Sequence, residues 1–275
     1  MERIILIETS TALCSAALAE DGKIVAYRES SAPKAHASLT AVFIQEMLQE
    51  RGIKIADCDA VCVSMGPGSY TGLRVGVSTA KGLCFGAGKP LLAIGTLDTL
   101  VAQAISDLTP SDKSDVSGDS LVISSETEGR DEKSPTYKFI IPMVDARRME
   151  VYTAVFESSV IPSASLVISS ETEGRDEKSP TYKQITETAP AIIDESSFAE
   201  YLEQGPCLFI GDGAGKCADV IKHPNAHFVQ CCPNASSMLS PALAAYRAGD
   251  FKDVAYFEPF YLKEFVATVS KKKLF

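Results

Sequence analysis

Histidine is scarce: His36, His223 and His227 are the three in 275 residues. His223 and His227 have the i, i+4 spacing of a helical ligand pair, but Pro224 between them makes a continuous helix implausible. With no carboxylate in a metal-ligand pattern nearby, the expectation is a surface loop. A basic excess is also missing. The formal net charge is −10, whereas a protein that grips nucleic acid unaided shows a basic face and balance. An acidic chain can still join a complex in which another subunit holds the nucleic acid. The one local basic run, Lys271-Lys272-Lys273, reads as a solvated tail. No stretch reaches the roughly 18–20 uninterrupted apolar residues that span a bilayer. Met1 to Glu8 opens as a strand without the charged n-region and cleavage site of a signal peptide. The eight cysteines are therefore expected to be reduced thiols of a cytoplasmic protein. Neither Cys58 with Cys62 nor the adjacent Cys231-Cys232 has the C-x2-C spacing of a zinc site.

Several catalytic signatures are absent as well. Gly66 to Gly72 fits neither the P-loop pattern nor G-x-G-x-x-G, and Gly211 to Lys216 fails because Ile210 stands where the first P-loop glycine belongs. Ser69 lacks the G-x-S-x-G elbow of a hydrolase nucleophile.

What is present is the pattern of an α/β chain with a sizeable core, 45% hydrophobic and 23% charged. Strands are expected at Ile4–Ile7, Ser15–Ala19 and Lys23–Arg28, the last two joined by the turn Glu20-Asp21-Gly22. A helix follows over Ser38–Arg51, with Ser38 as N-cap and Gly52 as stop. Then come a strand at Asp59–Met65, a helix over Thr71–Ala87, a strand at Leu91–Ile94 and a helix over Thr96–Asp107. The order β-β-β-α-β-α-β-α differs from a doubly wound nucleotide fold and matches one half of an actin-like fold. Strands at Phe139–Val144, Glu150–Glu157 and Cys207–Ile210, with helices near Ser196–Gln204 and Ala235–Ala248, make a second α/β domain. The expected division is 1–107, 108–257 and a tail, 258–275. Within the second part, residues 120–138 recur unchanged as 165–183. Two polar copies do not make a solenoid, and each reads as a loop or poorly ordered insertion without assigned function.

The helix after the glycine turn is unusual. Gly72, Gly76, Thr79, Ala80, Gly82, Gly86 and Ala87 share one arc, and interior glycines cost about 1 kcal/mol each against alanine. Close approach of another backbone would explain them. The opposite side carries Leu73, Val77, Cys84 and Phe85 among Arg74, Ser78 and Lys81, too apolar for a solvated face. Leu39, Phe43, Ile44, Met47 and Leu48 likewise cover a broad arc of the preceding helix. The candidate partner surface is thus Leu39, Phe43, Met47, Leu73, Arg74, Val77, Lys81, Cys84 and Phe85. The glycine turn could cradle phosphate at a helix N-terminus, though a tight structural turn explains it equally well. Glu8-Thr9-Ser10-Thr11 ends the first strand where actin-like enzymes place an acidic residue and a phosphate-contacting loop. Most such enzymes have Asp there; the longer Glu displaces the carboxylate by roughly one C–C bond.

The chain resembles the TsaB (YeaZ) family. The resemblance rests on Ile7-Glu8-Thr9-Ser10-Thr11, Cys14-Ser15-Ala16-Ala17-Leu18, His36-Ala37-Ser38-Leu39 and, most specifically, Gly66-Pro67-Gly68-Ser69-Tyr70-Thr71-Gly72-Leu73-Arg74-Val75-Gly76. Further on it rests on Ile141 to Tyr152, Gly211-Asp212-Gly213-Ala214 and Glu258-Pro259-Phe260-Tyr261-Leu262. It implies an actin-like (ASKHA), ribonuclease H-like fold of two related domains. It also implies a non-catalytic subunit of the bacterial complex that makes threonylcarbamoyladenosine (t6A) at position 37 of tRNA. In that family the catalytic paralogue TsaD carries a metal-binding His pair; here His36 is followed at i+4 by Thr40. TsaB docks on and activates TsaD through its first two helices, self-associates by the same surface, and works with the ATPase TsaE. The resemblance implies contact with tRNA only through the complex, no metal or cofactor of its own, and ATP or ADP only in the complex. Glu8, Thr9, Ser10, Thr11, Gly211, Asp212 and Gly213 would be vestigial nucleotide loops. Two other readings stand beside this: an actin-fold ATPase or sugar kinase using Glu8 and a cleft at Gly211 to Gly215, and the M22 metallopeptidase that such proteins are often labelled.

Overall fold

The structure is a computed structural model that describes residues 2–108, 137–158 and 182–263. Strands β1 (Arg3–Glu8), β2 (Cys14–Glu20) and β3 (Lys23–Ser30) form an antiparallel meander. Asp21 and Gly22 turn β2 into β3 with φ of 46° and 78°, the two left-handed residues that a tight hairpin requires. After helix α1 (Ala35–Glu50), strand β4 (Ala60–Gly66) pairs parallel with β1. Helix α2 (Tyr70–Ala87) leads to β5 (Leu91–Gly95), parallel to β4, and α3 (Thr96–Leu108) closes the unit. The sheet order is β3-β2-β1-β4-β5.

The second unit runs β6 (Phe139–Asp145), β7 (Glu150–Thr153), β8 (Phe156–Ser158), β9 (Tyr182–Gln184), β10 (Ala189–Ile192), α4 (Ala199–Leu202), β11 (Cys207–Gly211), α5 (Ala214–Ala218) and β12 (Ala226–Gln230). Its main path is β10-β7-β6-β11-β12, with β8 and β9 beside it. β6 and β7 are antiparallel, as are β7 and β10, while β6, β11 and β12 are parallel. The two sheets thus repeat one topology, the two-unit actin-like α/β architecture that the order of elements implied.

The middle of β1, Ile4–Ile7, is apolar throughout because both faces of its sheet are covered. Ile5 and Ile7 point toward α1 and α2, packing with Phe43, Met47, Val77 and Cys84. Ile4 and Leu6 point to the other face, against Ala235, Met238 and Ala242. Those last residues belong to a 3-10 turn (Ala235–Met238) and to α6 (Leu239–Ala248). The expected boundary at 257 therefore shifts: from Ala235 onward the chain returns to the first sheet, and Ala235 N–H donates to Ser15 Oγ at 3.0 Å. The tail is not separate either, since Phe260 N–H donates to Met65 O at 2.7 Å.

Several local expectations are corrected. α1 starts at Ala35, whose side chain is in the core, and Ser38 lies inside it, its hydroxyl donating to Lys34 O at 3.1 Å. The strand expected over Glu150–Glu157 is interrupted at Ala154–Val155. In the register set by Met143 opposite Thr153 and Ile140 opposite Phe156, Ala154 faces Pro142, which has no N–H to donate. β9, β10 and β12 were not expected; β12 contains His227, so that residue is in a strand and not a surface loop. The helix near Ser196–Gln204 shortens to α4. Most of the duplicated segment lies outside the described residues. Where it is described, Tyr182 and Lys183 begin β9, and Tyr182 Oη donates to Tyr137 O at 3.2 Å.

Candidate functional site

The loop that ends β1 is built into the core. Glu8, Thr9, Ser10 and Thr11 are all buried, Glu8 completely. Glu8 Oε1 accepts from Ser10 N–H at 2.7 Å and from Ser64 Oγ at 2.8 Å. Ser64 sits on β4, and the parallel pairing of β1 with β4 brings it alongside Glu8. Glu8 Oε2, Thr9 Oγ1, Ser10 Oγ and Thr11 Oγ1 have no hydrogen-bond partner. Burial raises the Glu8 carboxyl above the ordinary value, outweighing the hydrogen bonds from Ser10 and Ser64 that lower it.

The glycine turn lies directly on this loop. Ser69 N–H donates to Ser10 O at 2.6 Å, Gly72 N–H to Ser69 Oγ at 3.3 Å and Leu73 N–H to Ser69 O at 2.9 Å. A Cβ at Gly72 would collide with the Thr9 carbonyl, and one at Gly76 with Thr9 Oγ1. These two glycines let α2 approach the β1 loop until no side chain fits between them. The same contacts occupy N–H groups that a phosphate would need, so this turn is a packing device.

The second glycine loop is occupied in the same way. Gly213 N–H donates to Met143 O at 2.9 Å, Asp145 N–H to Asp212 Oδ1 at 2.9 Å, and Gln230 Nε2 to Asp212 O at 2.9 Å. Lys216 pairs with Asp145 and donates to Glu150 O at 2.7 Å. Burial, then the nearby Asp145 charge, raise the Asp212 carboxyl; hydrogen bonds and Lys216 only partly oppose them. Cys232 lies between the two loops: burial pushes its thiol up, and the charges of Asp212 and Glu8 push it the same way.

At the position where the resemblance implies a second metal histidine, Thr40 is buried. Its hydroxyl donates to His36 O at 2.6 Å and lies 3.3 Å from Cys14 Sγ. His36 Nε2 is 2.9 Å from Thr11 O, which ties α1 to the β1 loop. Among the described residues no group of three His, Cys, Asp or Glu side chains is arranged to hold a metal ion, and no helix is long and apolar enough to cross a membrane.

The α1–α2 face differs from its reading in sequence. Phe43, Met47, Leu73, Val77 and Cys84 are buried within the chain. Their apolar character serves the sheet beneath, and a charge at Phe43 or Val77 would attack the fold. The glycine arc divides: Gly72 and Gly76 make the close backbone contact, whereas a Cβ at Gly82 or Gly86 would meet nothing within 4 Å. Lys81 Nζ donates to Ala255 O and Phe257 O, both at 3.0 Å, and so anchors the C-terminal segment. The first half of α1 presents small residues outward, Ala37, Ser38, Ala41 and Val42, and its second half presents Gln45, Glu46, Gln49 and Glu50; α2 exposes Arg74, Ser78, Gly82, Phe85 and Gly86, and Leu39 is half-buried. Phe85 is 87% exposed. Arg74 lies 5.4 Å from the centre of the Tyr70 ring, which stacks on Tyr261 at 4.8 Å. Ser64 and the segment around Phe260 and Tyr261, missed in the sequence, join the site through long-range pairing that no local pattern encodes.

The chain is similar to several known proteins. A family model described as "TsaD: tRNA N6-adenosine threonylcarbamoyltransferase" matches residues 29–113. The tRNA threonylcarbamoyladenosine biosynthesis protein TsaB of Escherichia coli is 37% identical over 102 residues, 37% of this chain and 44% of the relative. The protein of that name in Haemophilus influenzae is 38% identical over 105 residues, 38% of this chain and 44% of the relative. The matched region thus spans less than half the length of these two curated relatives. Among solved structures, YeaZ from Pseudomonas aeruginosa superimposes with a TM-score of 0.69 at 20% identity, covering 95% of this chain and 100% of that one. That likeness establishes the actin-like fold, and over somewhat more than a third of its length the chain is similar to the TsaB proteins.

Proposed function

We propose that this chain is a non-catalytic subunit in tRNA threonylcarbamoyladenosine biosynthesis, docking on and activating a TsaD-type threonylcarbamoyltransferase. The observation that carries this reading is the packing of both glycine loops onto the chain itself: the N–H groups of Ser69, Gly72, Gly213 and Gly215 and one oxygen of the Glu8 carboxyl are engaged by the chain's own atoms. An ATPase or kinase would hold those donors open for phosphate. The names of the curated relatives supply the pathway. In this reading the docking surface is the outward face of α1 and α2. Leu39, Arg74 and Phe85 contact the partner, while Phe43, Met47, Leu73, Val77 and Cys84 hold the two helices in place and Lys81 fixes the segment behind them. Small outward residues allow close helix–helix approach, and an exposed phenylalanine is the type of anchor that dominates interfaces. The same surface pairs two copies when the transferase is absent. TsaE and tRNA join through the complex, ATP or ADP binds only there, and the complex is cytoplasmic.

The test assays the purified chain for ATP hydrolysis, bound metal and peptidase activity, alone and with the transferase, and measures t6A formation. Activity only in the mixture is the expected result. Hydrolysis of ATP or peptide by the chain alone overturns the reading.

A further inference from the structure

We propose that the tip of the β6–β7 hairpin, Arg147 and Arg148, grips the phosphate backbone of the tRNA on which the complex acts. The inference rests on the tRNA-modification reading above and names the part of this chain that meets the RNA. The two arginines are consecutive and both left-handed, with φ of 72° and 53°. Glycine, and to a lesser degree asparagine and aspartate, adopt that conformation readily; a longer side chain does so at a cost. A hairpin that needed only to turn would place Asn-Gly there. Nothing within the chain offsets the cost of arginine. Both side chains are exposed, and neither guanidinium has a hydrogen bond, ion pair or ring contact among the described residues.

The surroundings of the tip favour RNA. The carboxylates at the base of the hairpin are already neutralised, Asp145 by Lys216 and Glu150 by Lys263. The tip is therefore positive in a chain whose formal charge is −10. Planar guanidiniums match phosphate oxygens and bind them bidentately. A ring pair adjoins these charges. The Lys263–Glu150 contact brings Tyr261 toward the hairpin, and Tyr261 stacks on Tyr70 with ring centres 4.8 Å apart. Burial raises the Tyr152 hydroxyl while Lys263 and Arg147 oppose it, which places both cations near that ring. Near Tyr261 the charge of Glu258 is opposed by Arg74. Cations beside exposed rings hold unpaired RNA, with phosphates on the charges and bases on the rings; an acidic protein would need the charges alone. Arg74 lies over Tyr70 and belongs to the proposed docking face, so the ring pair links that face to the hairpin.

The experiment follows an unmodified tRNA transcript by fluorescence anisotropy as it binds the complex of the full chain with a TsaD-type transferase. Salt is varied from about 0.05 to 0.3 M, where phosphate contacts set the slope. Arg147→Asn/Arg148→Gly removes both charges and relieves the backbone. It should flatten the slope of log Kd against log salt by about 1.5, the value for two phosphates. Because that contribution vanishes near 1 M, binding at 0.1 M should weaken on the order of 30-fold. The Tm of the same variant should rise by at least about 2 °C. Affinity that falls while stability rises separates an RNA contact from a turn of structural use alone. Arg147→Lys/Arg148→Lys keeps the charges and should keep the slope. An unchanged slope in the first variant overturns the proposal, and so does a variant that keeps the RNA but loses the transferase, which makes the tip a protein contact. A wild-type chain that never binds the transferase overturns the docking reading as well; a complex that forms normally with an unchanged slope overturns this inference alone.

Discussion

Replacing Glu8 with glutamine tests whether the β1 loop is a relic held at a cost. The wild-type carboxyl is fully buried, one oxygen accepts two hydrogen bonds and the other has none. Its pKa in the folded chain is raised by burial above the value of 4.5 that the unfolded chain retains. Between those two values the folded state holds a proton that the unfolded state has released. Stability therefore falls as pH rises through that window, at up to about 1.4 kcal/mol per pH unit for one proton. Glutamine keeps the accepting oxygen and places an NH2 beside hydroxyls that lack partners, and it does not titrate. Glu8→Gln should equal wild type near pH 4.5 and exceed it progressively until the folded carboxyl ionises, after which the gap is constant. Each kcal/mol of gap corresponds to about 2–4 °C in Tm for a chain of this size. Urea unfolding followed by circular dichroism at half-unit steps from pH 5 to 8 reads the difference, in which the contributions of Asp98 and Asp212 cancel. Parallel curves, or a variant less stable than wild type at pH 7, would refute the reasoning.

Gly72→Ala should destabilise by at least about 2 kcal/mol, because strain against the Thr9 carbonyl exceeds the roughly 1 kcal/mol of helix propensity gained. Gly82→Ala in the same helix should stabilise by up to about 1 kcal/mol, since its Cβ meets open space; thermal unfolding checks both signs. Phe85→Glu should leave Tm within about 2 °C of wild type, since surface changes stay within about 0.5 kcal/mol, and abolish co-purification with the transferase. Val77→Glu should instead prevent folding, because it buries an unpaired charge. Lys81→Met removes the donor to Ala255 and Phe257, so limited proteolysis should cut first within residues 253–263 while the rest of the chain resists.

The first half of the fold was legible because local signals agreed there: an apolar run at Ile4–Ile7, the Asp21-Gly22 turn, and a glycine-rich turn capped by Ser69. The second half was less so. Pro142 broke its neighbour strand without altering that strand's own pattern, and β10 and β12 are short and half-exposed, giving weak alternation. The site was half legible. Small residues on α2 announced a close approach, but not that Gly72 and Gly76 pack on Thr9 while Gly82 and Gly86 stay open. Apolar residues on α1 and α2 announced burial without distinguishing the chain's own core from a partner. That distinction depends on which residues of β1, β4 and 235–257 lie beneath, and these are up to about 200 residues away in sequence.

The return of α6 to the first sheet also sets an order of events on the ribosome. Ile4, Leu6 and Ala17 bare one apolar face of that sheet until Ala235, Met238 and Ala242 have been made. Arg247, whose guanidinium reaches Glu2 across 245 positions, is made later still. At synthesis rates of 5–20 residues per second the wait is on the order of 10–45 s. The second sheet, whose strands lie between residues 139 and 230, can be complete before the first is covered. The first unit to emerge is thus the last to be sealed, and during that interval its open face is the part of the nascent chain most in need of a chaperone.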